Sequence, residues 1–76
     1  MDPAEPQQIL LSDLLEAHPR LLEASTLCAR RERYPNVEGS LRVLVQDGLA
    51  TRLGDLIGAS RAAVRFEALR GDLTRQ

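Results

Sequence analysis

Seventy-six residues make one small domain, and a chain this short buries only about 60% of its unfolded surface. Every one of the ten basic residues is arginine, against eleven acids, and the net charge of −1 argues against indiscriminate nucleic-acid binding. No apolar run approaches the ~20 residues that span a bilayer. A lone cysteine, Cys28, excludes an internal disulfide and a cysteine metal cluster.

The acidic, proline-bearing start Met1–Pro6 has neither the basic nor the apolar region of a signal peptide. It reads as a flexible lead-in over residues 1–6 to a single small helical domain over 7–76, in a cytoplasmic protein. Tyr34 and Phe66 are the only aromatics, so leucine must supply most of the core, which favours packed helices over a sandwich.

A first helix is predicted from Pro6 to Ala17, with Leu10, Leu11, Leu14 and Leu15 on one face. His18-Pro19 ends it, because proline disfavours the helical region for the residue before it. A second helix is predicted from Pro19 to about Arg33, burying Leu21, Leu22, Ser25, Cys28 and Ala29. On that face Cys28 is a small hydrophobe rather than a nucleophile. His18, at a helix break, reads as a cap or surface residue.

Asn36 suits the cap of a third helix, with Glu38 favourably placed in its first turn and Gly48 as its stop. Val37, Leu41, Leu44 and Val45 share its apolar face, and Glu38 and Arg42 form an (i, i+4) pair.

Beyond Gly48 two patterns fit. In the first, Leu49, Leu53, Leu56 and Ile57 form the face of a fourth helix, Gly58 turns the chain and Ser60 caps a fifth helix ending at Gly71. Ala62, Phe66, Leu69 and Leu73 then align at i, i+4, i+7 and i+11. In the second, Leu49–Leu53 is a strand, Gly54–Ser60 a tip and Arg61–Leu69 the return strand. Strong helix formers in 61–70 favour the first. The expected fold is therefore mainly α: a small bundle of four to five helices containing a helix-turn-helix, with a β-hairpin over 49–69 as the alternative.

No catalytic triad, zinc-ligand spacing or phosphate loop occurs, so neither an enzyme nor a metal or cofactor protein is expected. Charge is uneven along the chain. Residues 1–38 hold seven acids and four arginines, whereas 39–76 hold six arginines and four acids.

The segment Gly54–Arg65, with Gly58 at a turn, Ser60-Arg61 opening a helix and Val64 inward, resembles the helix-turn-helix of catabolite-activator and GntR-type bacterial regulators. The segment Leu41–Arg52, with Asp47-Gly48-Leu49 and Arg52, is similar to the end of the recognition helix in HxlR- and MarR-type winged-helix regulators. Either resemblance implies a small transcriptional regulator that binds double-stranded DNA. The implied DNA-binding residues are Arg42, Arg52, Ser60, Arg61 and Arg65. A homodimer would reach half-sites about 34 Å apart. The N-terminal leucines serve that reading first as core and second as a dimer seam. The competing expectation is a helical adaptor or inhibitor that binds a protein partner through an apolar groove, suggested by the near-zero net charge.

Overall fold

Glu5 precedes the first helix, α1 (Pro6–Ala17), where proline stands in the first turn and so sacrifices no hydrogen bond. A computed structural model describes residues 5–74, with side chains to residue 70. The lead-in expected over residues 1–6 falls outside the described residues for 1–4, while Pro6 is already helical. His18 closes α1, its backbone N–H donating to Leu14 O at 3.0 Å, and a turn carries the chain through a cis His18–Pro19 bond. A two-residue strand follows, β1 (Leu22–Glu23), and then a short helix, α2 (Ala24–Ala29).

That replaces the long second helix expected over Pro19–Arg33. The physical difference is one of phase. With the helix starting at Ala24, the inward residues are Ala24 and Leu27, and Cys28 is turned to solvent instead of into the core. Glu23 at the N-cap makes no side-chain capping bond. The cap comes from residue 55, whose backbone carbonyl accepts from Ala24 N at 2.7 Å.

After turns through 30–36, Asn36 opens α3 (Val37–Gln46), and its Oδ1 accepts from Gly39 N at 3.1 Å. Val37, Ser40, Leu41 and Leu44 are buried, while Val45, expected on that face, is 43% exposed. Gly48 takes a φ of +76°, the left-handed conformation that ends helices cheaply only for glycine.

Neither C-terminal pattern holds as a whole. Residues 49–57 are not a helix: Ala50–Leu53 forms β2 and Leu56–Ala59 forms β3, joined by Gly54-Asp55. Gly54 has φ +62° and Asp55 does not share it, which matches a type II′ turn, with Gly at its first central position. The return strand is thus 56–59, and residues 61–69 belong to a helix, α4 (Arg61–Thr74). The three strands run antiparallel in the order β1-β3-β2, with Leu22 opposite Ile57 and Arg52 also opposite Ile57 on the other side. The mainly α bundle is corrected accordingly: the described residues form four helices and a three-stranded antiparallel sheet. A helix failed over 49–57 because Gly54 and Gly58 weaken it, while the two-residue turn lets Ile57 and Ala50 enter the core from opposing strands.

The core gathers Leu10 and Leu14 from α1, Ala24 and Leu27 from α2, Leu41 and Leu44 from α3, and Ile57 from β3. Leu10 and Leu14 are thereby consumed inside the monomer, and Leu11 and Leu15 are only partly covered. Tyr34 is buried with its hydroxyl donating to Asp13 Oδ2, and Arg33 grips the same carboxylate through Nε and Nη2, both at 2.8 Å. The guanidinium holds the Asp13 carboxyl below its ordinary range, while burial and the Asp13 carboxylate push the Tyr34 phenol up. This anchor fixes the 30–36 turn to α1. Among the described residues no helix is long and apolar enough to cross a membrane.

Candidate nucleic-acid interface

Helix α3 is amphipathic, and its outer side is formed by residues one turn apart: Glu38, Arg42 and Gln46. Strand β2 runs beside it. Between them lies an open groove of about 420 Å³ lined by Glu38, Leu41, Arg42, Val45, Gln46 and Arg52. Ten residues give this helix a length of about 15 Å, and the hairpin turn Gly54-Asp55 is docked on the start of α2 through Asp55.

Arg52 is held in place before any ligand arrives. Its Nη1 donates to Glu38 Oε2 at 2.9 Å and its Nε to the carbonyl of Gly54 at 2.9 Å. The pairing with Arg52 lowers the Glu38 carboxyl from its ordinary range and raises the Arg52 guanidinium in turn. Both side chains are substantially solvated, so this is a positioning contact more than a source of stability. The expected Glu38–Arg42 pair is replaced by this one. Arg42 is exposed and enters no ion pair among the described residues.

Of the five residues singled out from sequence, the structure therefore brings together Arg42 and Arg52. Ser60 sits where a cap was expected: its Oγ accepts from Ala63 N at 3.1 Å and donates to Gly48 O at 2.7 Å. Both bonding directions of the hydroxyl are used to start α4 and tie it to the end of α3. Arg61 and Arg65 are exposed on α4 and do not line the α3 groove. They do not open a recognition helix behind a positioning helix, because the segment containing Gly54 is the hairpin turn and Gly58 lies buried in β3.

Gln46 was not singled out. The usable signal was its place four residues after Arg42 on the polar side of a capped helix. Arginine can donate two parallel hydrogen bonds to one acceptor edge and glutamine can exchange a donor–acceptor pair, so this side of α3 offers both kinds of polar group one turn apart. Asp47, exposed at the C-terminal cap of α3, limits the positive potential of this face.

Compared with known family models, with curated proteins and with solved structures, the chain matches none.

Proposed function

We propose that the chain is a small DNA-binding transcriptional regulator of winged-helix type. In this reading α3 enters the major groove and β2 brings Arg52 against the neighbouring backbone, while the hairpin turn stays bound to α2 through Asp55. The observation that carries it is the juxtaposition of Arg42 and Gln46 on the outer side of α3 with Arg52 on the adjacent hairpin. The order α1-β1-α2-α3-β2-β3, with β1 beside β3, supports it, since this arrangement presents one helix and one hairpin on a common rigid core. Topology alone does not specify a function, and the argument rests on those side chains. Arg42 and Gln46 read base edges; Arg52 meets phosphate once Glu38 releases it. Genomic DNA as partner sets the site of action in the cytoplasm.

Fluorescence anisotropy with labelled duplex at low salt tests the proposal. Saturable binding is expected, weakened at least tenfold by Arg42→Ala with Gln46→Ala. With one phosphate neutralised by Arg52 per chain, log affinity should fall against log salt with a slope near −1. Absence of binding at low salt, or undiminished binding by the double variant, overturns the proposal.

A protein partner is the second reading, favoured by the exposure of Val43 (39%) and Val45 (43%) on α3. It predicts association that depends on these valines and hardly on salt.

A further inference from the structure

The apolar stripe of α4 faces away from its own chain. Ala62, Phe66 and Leu69 fall within one narrow arc of the helix, and Leu73 continues the spacing in the sequence. Such a stripe normally marks the side turned to the core. Here the buried residue of α4 is Ala63, at 3% exposure, while Phe66 is 66% exposed and Leu69 58%. The monomer uses the small edge of this helix and leaves the large side chains without a counterpart.

Three observations identify what covers them. First, Ala62, Phe66 and Leu69 are separated by four residues and then three, and Leu73 follows after four more. This alternation lets two helices interlock along a seam, with Phe66 at an a position and Leu69 at a d position. Second, the stripe borders an open groove of about 600 Å³ between α4 and α1. Leu11 and Leu15 line it, with Glu16 on the α1 side and Glu67 and Arg70 on the α4 side. The partly covered leucines of α1 widen the apolar area beyond what one helix seam supplies. Third, the charges are self-complementary. Helix α1 has no basic residue and exposes Glu16, Asp13 being taken up by Arg33 and Tyr34, whereas α4 presents Arg61 and Arg65, with Arg70 paired to its own Glu67 at 3.1 Å. Arg65 and Arg70 flank the seam, so a parallel pairing would set Arg65 against Arg70 of the partner subunit. An antiparallel pairing separates them and brings the arginines of each α4 toward the acidic α1 of the other chain.

We infer that the α4 stripe and the α1–α4 groove are covered by a second copy of the chain, in a two-fold dimer whose α4 helices pack antiparallel. The interface is isologous: Phe66 of each chain enters the side of the groove lined by Leu11 and Leu15 in the other. The inference does not depend on DNA binding, and the two stand or fall separately.

Sedimentation equilibrium of the full chain without DNA tests it. The expected mass is twice that of the monomer at high concentration, returning to the monomer value on dilution. Phe66→Glu with Leu69→Glu should be monomeric throughout. Its far-UV circular dichroism should be unchanged, because both side chains are exposed in the monomer and removing them opens no cavity. A wild-type chain that stays monomeric up to about 500 µM, or a double-glutamate variant that keeps the doubled mass, overturns the inference.

Discussion

Asp55, at the tip of the hairpin, caps a helix thirty positions earlier in the chain: its Oδ2 accepts from the hydroxyl of Ser25 at 2.7 Å, and its Oδ1 from the Ser25 backbone N–H at 3.2 Å. The orphan donors at the start of α2 are thus satisfied from the hairpin turn, not from Glu23. Asp55→Ala should cost about 1 kcal/mol, the usual value of a helix cap, measured by urea unfolding. Asp55→Asn, which keeps an acceptor, should recover part of it. An equal loss in both variants would mean that the charge, and not the cap, matters.

The Asp13–Arg33–Tyr34 anchor predicts loss of stability at both ends of the pH range. Asp13 has a folded pKa below its unfolded value near 3.8, so its contribution is present above that value. The contribution fades as pH falls through the lowered folded value. Tyr34 has a folded pKa above its unfolded value near 10, so its contribution holds below that value and fades as pH rises further. Thermal melts across pH should show both arms. Tyr34→Phe should remove the alkaline arm and lower stability by about 1–2 kcal/mol, because a buried bond to a carboxylate is lost.

Glu38 holds Arg52 by two hydrogen bonds, at 2.9 and 3.4 Å. If the duplex is the ligand, phosphate must displace this carboxylate. Glu38→Gln should therefore bind non-specific duplex several-fold more tightly at low salt, with the gain shrinking as salt rises. Weaker binding by this variant would make Glu38 a base contact, accepting from cytosine, rather than a competitor.

Gly39 reverses the ordinary helix rule. Replacing a helical glycine with alanine usually gains up to about 1 kcal/mol. At this position a Cβ would collide with the side-chain amide of Asn36, the residue that caps α3. Gly39→Ala should therefore bring no gain, and chemical denaturation should show equal or lower stability than wild type. A clear increase would mean that Asn36 moves aside without losing its cap.

Helix α3 was legible because its signals are local: Asn36 caps it, Gly48 stops it, and Val37, Leu41 and Leu44 mark its inner side. Ser60 announced the start of α4 in the same way. The hairpin stood only as the alternative, with its return strand placed too late at Arg61–Leu69, because Leu49, Leu53, Leu56 and Ile57 also satisfy a helical period, and the deciding turn is only two residues, Gly54-Asp55. The second helix was misplaced for the opposite reason: its true start is fixed by Asp55, and no local pattern carries a cap from so far away. On α4 the stripe was legible but its exposure was not, since spacing shows which residues share a side and not what that side meets. Arg42 and Arg52 were found by charge, while Gln46 needed the groove to bring it forward.

The Arg52 guanidinium grips the carbonyl of Gly54 with the same planar head that reaches Glu38. A ligand that draws this head outward releases the Gly54 carbonyl and the Glu38 carboxylate in a single movement, and leaves the tip held by Asp55 alone. Occupancy of the groove and slackening of the ribbon are then two sides of one equilibrium. Amide exchange at the tip should accelerate, not slow, as a polyanion takes hold.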